Sequence, residues 1–370
     1  MRNPFTPTFG KVPLYLAGRE YLIEELLDAL ENGPGDPNQA SILVGARGTG
    51  KTATLAYLRK QAESMGWIAV SATCVDGMLQ DILEQISRRA AHLVKPDEKR
   101  KVSGVSLTAP IGGLSFRWDN LESSPGNWRS RITDVLEELS KYDVGLLITV
   151  DEVDPRSAEM VELIAAFQHF VTEERKIALF MAGLPHKVSQ LLNGESVSFL
   201  RRAGRKELGN ISDLEVRVAL ENTASKEGKR FDEDALDAAV RSVNGFPYMM
   251  QLVGFRSWAL SGDSGTIGQG DVDGGIALAT EDLRMRVLKQ TLDELSRNDL
   301  LFLQAMLPDD ERSDTKRIAE RLGKPNNHVS TYKKRLMDAG VVEPASRSSV
   351  GFALPGLRDY LPEYIEENIE

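Results

Sequence analysis

The stretch Ser41-Ile42-Leu43-Val44-Gly45-Ala46-Arg47-Gly48-Thr49-Gly50-Lys51-Thr52 decides the fold. Ser41–Val44 is an apolar run of strand length, and Thr52–Met65 reads as a helix. Between them Gly45, Ala46, Arg47, Gly48, Thr49, Gly50, Lys51 and Thr52 spell the pattern G-x-x-x-x-G-K-[ST]. Glycines let the backbone curl so that several N–H groups converge on an anion. The following helix adds its positive N-terminal end. In such a loop Lys51 neutralises the β- and γ-phosphates of a nucleotide, and the Thr52 hydroxyl is a ligand for Mg2+. The pattern predicts a site for ATP and Mg2+; the competing reading is a chance match in a glycine-rich turn.

A second element selects between the two. Leu146-Leu147-Ile148-Thr149-Val150-Asp151-Glu152 is a buried-strand pattern ending in two carboxylates. In a parallel sheet such a strand end, expected on the tip adjacent to the loop strand, lies beside the phosphates. There Asp151 would hold the hydrated magnesium and Glu152 would polarise an attacking water. Alone, the pair reads equally well as a solvated strand cap. Joined to the strand–loop–helix, it reads as the second half of a triphosphate site. The surrounding pattern alternates strand and helix: Trp67–Thr73, Met78–Leu93, Trp128–Leu139, Val144–Val150, Ser157–Glu173 and Ile177–Ala182. That rhythm implies a parallel sheet with helices on both faces. Ser103–Trp118 reads as a hairpin-like insertion.

A chain of 370 residues is too long for one ordinary core and implies two or three domains. No apolar run approaches the roughly 20 residues of a membrane span. The N-terminus lacks the apolar stretch of a signal peptide. Cys74 is the only cysteine, so no internal disulfide forms, and the expected location is the cytoplasm. His92, His169, His186 and His328 are scattered, which gives metal-ligand clusters no support. A net charge of -10 excludes a protein coated in positive charge, but not a basic module on an acidic body.

The C-terminal third has such a module. Thr315–Leu322 and Asn326–Ala339 read as two helices joined at Gly323-Lys324-Pro325. Val341–Glu343 and Val350–Leu354 then read as a hairpin, giving helix–turn–helix followed by a wing. From Thr315 to Met337 the basic residues are Lys316, Arg317, Arg321, Lys324, Lys333, Lys334 and Arg335, and Glu320 is the only acid. That balance favours a phosphate backbone as partner. Asn326, Asn327, His328, Ser330 and Thr331 open the second helix, where base edges are read; Lys333, Lys334 and Arg335 follow, and Arg347 sits on the wing. The alternative is a winged helix used for protein contact.

Together these motifs resemble the AAA+ ATPases, close to the origin-recognition-complex-like clade and its bacterial and archaeal relatives. Gly18-Arg19-Glu20 resembles the family's box beside the nucleotide base, which implies a binding role for Arg19. Phe199–Arg205 lies where the family carries an arginine finger, so Arg201 or Arg202 would act across a subunit interface in an oligomer; pairing with surface acids is the plainer reading. Gly245-Phe246-Pro247 resembles the start of the second sensor motif.

The resemblance implies an α/β nucleotide-binding domain over 1–211, a helical lid over 212–262, a linker over 263–283 and a winged helix over 284–370. Two departures stand out. Ala182 occupies the tip where a polar first-sensor residue is expected, and Tyr248 stands where the second-sensor arginine belongs, with Arg256 a distant substitute. They imply slow hydrolysis, with ATP acting as a conformational switch. The expected function is an ATP-binding switch on double-stranded DNA. The alternatives are a signalling or scaffold NTPase and a helper that delivers a transposase or helicase, each touching a protein client.

Overall fold

Apolar runs that alternate their side chains between two covered faces build a parallel sheet. In the computed structural model, which describes residues 2–8, 10–94, 127–346 and 348–369, the strands are β1 (Ala40–Val44), β2 (Ile68–Thr73), β3 (Leu146–Asp151), β4 (Ile177–Gly183) and β5 (Gly204–Glu207). They lie in the order β2-β3-β4-β1-β5, all parallel. The insertion read at 103–118 and the wing residue Arg347 lie outside the described residues.

Helices cover both faces. Leu43, Leu147 and Phe180 meet α1 (Glu20–Asn32) and α2 (Lys51–Ser64) through Leu26, Leu30, Leu55 and Leu58. Ile42, Val70, Ile148 and Met181 meet α3 (Met78–Val94), α4 (Trp128–Ser140) and α5 (Ala158–Thr172) through Ile82, Ile132 and Phe167. The strand order corrects one expectation: β4 separates β1 from β3, so the two motif strands are next-nearest neighbours, about 10 Å apart. After β4 come α6 (Pro185–Leu192) and a 3-10 stretch, Glu195–Arg202.

The next layer is helical: α7 (Asp213–Lys226), α8 (Glu233–Val243), α9 (Pro247–Leu260) and α10 (Gln269–Leu283). Ser212 and Glu215 close the capping box at the start of α7. The segment expected as a linker, 263–283, is mostly α10, packed along α9. A short parallel pair, β6 (Arg230–Phe231) with β7 (Thr266–Ile267), leads into it. Two of its glycines are packing residues: a Cβ on Gly274 would lie 2.9 Å from the Leu260 side chain, and one on Gly275 2.2 Å from Ser257 Oγ.

A π-helical turn, Arg284–Leu288, continues α10 into α11 (Lys289–Asp293). Then follow α12 (Arg297–Met306), β8 (Ser313–Asp314), α13 (Thr315–Leu322), α14 (Asn326–Asp338), β9 (Val342–Pro344), β10 (Ser349–Phe352) and α15 (Leu357–Ile369). The last three strands form an antiparallel sheet in the order β8-β10-β9. One apolar core runs from Phe5 through α7–α10 to Tyr364, so the helical layer and the C-terminal module are packed together. The module also touches the first layer: Asp338 pairs with His186 at 2.9 Å, and Gly340 leaves room for Leu184. Among the described residues no helix is long and apolar enough to cross a membrane.

Two consequences can be measured. Phe5 is buried against Gly254, where a Cβ would lie 2.4 Å from its ring, and edge-on to Trp258 at 6.5 Å. Phe5→Ala should lower stability by about 3–5 kcal/mol in urea unfolding. Asp309 receives both Arg321 nitrogens at 2.6 and 2.7 Å, which holds its carboxyl down at about 2. A lowered carboxyl stabilises the fold above its unfolded value and loses that effect as pH falls through its folded one. Melting temperature should therefore drop as pH falls from about 4 toward 2, and Asp309→Asn should flatten that part of the profile.

Candidate nucleotide site

The phosphate loop takes its shape from β1 below and α2 beyond. Gly48 and Gly50 have φ of 79° and 90°, which only glycine adopts freely. Gly45 sits where a Cβ would lie 2.6 Å from the Leu208 carbonyl. The Thr49 hydroxyl donates to the Ala46 carbonyl at 2.9 Å, bracing the turn. Lys51 folds back over the loop, its Nζ donating to the carbonyls of Gly45 (2.9 Å) and Ala46 (2.7 Å). Burial pulls its ammonium down to about 8, against Asp151 and Glu152, which pull the other way.

The two motifs meet despite the intervening strand. Thr52 at the start of α2 donates its hydroxyl to Asp151 Oδ2 at 2.6 Å. Asp151 Oδ1 accepts the Glu152 backbone N–H at 2.9 Å. Glu152 has φ +55°, a left-handed geometry uncommon outside glycine, and its side chain is exposed. A hydroxyl and a carboxylate side by side form a hard oxygen donor set that fits Mg2+.

These residues border a cavity of about 680 Å3, of the size that holds small ligands. Arg19, Arg47, Gly48, Thr49, Gly50, Lys51, Thr52, Asp151 and Glu152 all line it. Arg19 is buried, and burial lowers its pKa. It donates to the Gly209 carbonyl at 2.6 Å and the Gly18 carbonyl at 3.2 Å, which ties the first helix to the sheet. Phe246 closes the loop from the helical layer: a Cβ on Gly48 would lie 2.3 Å from its ring.

The two departures are visible. At the tip of β4, Ala182 is buried, and the next residues, Gly183 and Leu184, bring no polar side chain. Tyr248 faces the cavity, and burial raises its pKa. Arg256, expected as a distant substitute, is held by Asp282 in a two-point pair at 2.6 and 2.8 Å and does not line the cavity. Arg201 and Arg202 are exposed on the 3-10 stretch, away from the cavity, and Arg201 Nε donates to the Leu192 carbonyl at 2.9 Å.

Sequence reading missed several cavity residues: Thr6–Thr8 from the N-terminal segment, Lys187, Arg286 and Asp338. Lys187, one turn beyond β4, pairs with Asp154 at 3.4 Å. Its position four residues after the strand end was the available signal. Arg286 and Asp338 come from elements far downstream, and nothing local announced them.

In the C-terminal module, Asn326, Asn327, His328, Ser330, Thr331 and Lys334 are exposed on α14, and Lys333 is half-buried. Ser330 and Thr331 donate back to the carbonyls of Asn326 (2.8 Å) and Asn327 (3.2 Å). Arg335 corrects the reading of a free basic face. Its guanidinium binds buried Asp299 and the Ser296 hydroxyl, tying α14 to the start of α12. Arg321 and Arg317 are likewise drawn to Asp309.

Comparison with known proteins agrees with this architecture. Residues 15–181 match the AAA ATPase domain, and residues 285–361 match a domain of unknown function (DUF8462). No curated protein matches the chain. The structure is similar to the Walker-type ATPase of Pyrococcus abyssi, with a TM-score of 0.65, 16% identity, and 93% of this chain and 95% of that chain covered. It is also similar to the ORC2 protein of Aeropyrum pernix in its ADPNP–ADP complexes, with a TM-score of 0.61, 15% identity and 98% of each chain covered. At such identities the likeness is one of fold. With the phosphate loop and the acidic strand end in place, residues 15–181 form an AAA ATPase domain, and the chain shares its overall fold with the Pyrococcus abyssi Walker-type ATPase and the Aeropyrum pernix ORC2 protein.

Proposed function

We propose that the protein is an ATP-binding switch that hydrolyses ATP slowly with Mg2+ and binds double-stranded DNA through its C-terminal winged helix. One observation carries the nucleotide part: Thr52 and Asp151 meet at 2.6 Å beside Lys51, at the edge of a cavity of about 680 Å3. On this reading phosphate oxygens replace the two loop carbonyls now bound by Lys51. Thr52 and Asp151 would hold Mg2+, which would supply charge compensation for the phosphates, and Glu152 would orient the water. The apolar tip of β4 and the commitment of Arg256 to Asp282 support slow turnover, because neither sensor position brings a polar or charged group to the transition state. Arg201 and Arg202, exposed and outside their own cavity, suit a finger that acts on a neighbouring copy.

The DNA part rests on the exposed polar start of α14 together with Lys316, Lys324, Lys333 and Lys334. The pairing of Arg317, Arg321 and Arg335 with internal acids favours a second reading, in which the module contacts a protein client.

Calorimetry should detect MgATP binding to the wild type, weakened about 10- to 100-fold in Lys51→Ala. Glu152→Gln should keep binding and lose about a hundredfold or more in turnover. Absence of MgATP binding by the wild type would remove the nucleotide reading. A labelled duplex should shift in a salt-dependent manner, and Lys333→Glu with Lys334→Glu should abolish the shift. A wild type that shifts no duplex, or a double variant that shifts it unchanged, would transfer the case to protein contact through this module.

A further inference from the structure

The cavity has a cation that neither motif explains. The helix that begins at Gln269 carries a π-turn at Arg284–Leu288. One extra residue in a turn rotates everything after it by about 100°, and such insertions recur at functional sites. Around and beyond it, Arg286, Val287, Gln290, Thr291 and Glu294 line the cavity.

Arg286 is left with spare charge. Its neighbour Asp282 is largely buried and already receives two hydrogen bonds from Arg256. Arg286 reaches the same carboxylate through a single contact at 3.3 Å, and its side chain remains 57% exposed. Two guanidinium groups therefore share one carboxylate, and the uncompensated charge belongs to the one that lines the cavity. Arg286 is also linked to the phosphate loop through packed rings. Gly48 holds the tip of Phe246, Phe246 meets Tyr248 edge-on at 6.5 Å, and the Arg286 charge lies close enough to Tyr248 to oppose the rise in its pKa. Glu294 and Asp338 are the acids that line the cavity besides Asp151 and Glu152, and Asp338 is paired with His186.

We propose that Arg286 is a phosphate-binding residue: with ATP in the cavity, its guanidinium leaves Asp282 to Arg256 and pairs with the phosphate tail. This rests on the ATP reading above. It assigns to a turn beyond α10 the cation that Tyr248 does not supply from α9. A planar guanidinium grips phosphate oxygens in a fork that an ammonium cannot reproduce.

The test is calorimetric titration of the full chain with MgATP, MgADP and adenosine, for wild type, Arg286→Ala, Arg286→Lys and the control Lys289→Ala, whose side chain pairs with Asp293 away from the cavity. Arg286→Ala should bind MgATP about tenfold more weakly, with adenosine within about twofold of wild type. Arg286→Lys should fall between, and Lys289→Ala should match wild type. A loss shared by MgADP places the contact on the inner phosphates; a loss confined to MgATP places it on the terminal one. Unchanged MgATP affinity in Arg286→Ala would overturn the proposal while leaving the ATP site standing. So would an equal loss of adenosine, which would mean a role in base binding or folding. A wild type that takes up no MgATP overturns the ATP reading, and this proposal with it.

Discussion

The hydrogen bond from Thr52 to Asp151 is the contact on which the rest of the molecule depends. It closes a gap that the sheet leaves open. β4 stands between the two motif strands, and the hydroxyl, at the start of α2, meets the carboxylate at the end of β3 across that gap. The tip of β4 is small and apolar in this chain. Gly183 meets Val153, where a Cβ would lie 2.5 Å from the Val153 methyl, and Ala182 is fully buried.

The loop itself is finished from outside its own domain. Gly48 is left-handed and bare, and Phe246 fills the space a side chain would take. Phe246 is set by Asn244 and Gly245, two successive left-handed residues at the end of α8. Arg19 performs a similar service on the other side, holding Gly209 next to the loop. The helical layer thus participates in the shape of the phosphate site, and a change in how that layer sits is felt at the loop backbone.

The parts legible in the sequence were those encoded locally. Apolar runs ending in glycine or carboxylate marked the strands and both motifs, and capping residues such as Ser212 marked helix starts. The misreadings came from partners distant in the chain. Gly270, Gly274 and Gly275 resembled a flexible linker, yet Gly275 is small because α9 crosses against it. Arg335 looked free because Asp299 lies 36 positions away, and the carboxylate that holds Arg256, Asp282, belongs to another helix. Charge balance counted along the chain overstated the basic surface of α13 and α14, since buried carboxylates outside the counted window pair with three arginines, two on α13 and one on α14.

The position of α14 joins these observations. Its first turn carries the exposed polar residues from Asn326 to Thr331, and its last residue, Asp338, borders the nucleotide cavity about 20 Å further along the same rod. Asp338 is held there by His186 at 2.9 Å, with Gln190 donating at 3.4 Å, and the following Gly340 packs on Leu184 at the tip of β4. A helix is stiff over this length, so its two ends cannot move independently. A triphosphate entering the cavity would place negative charge near the Asp338 carboxylate, and like charges in a partly dry cleft repel more strongly than in water. The same rigid element would carry that repulsion to its exposed end. The tip of β4 takes part in the same contact: Leu184, two residues after Ala182, lies against Gly340 of the C-terminal module.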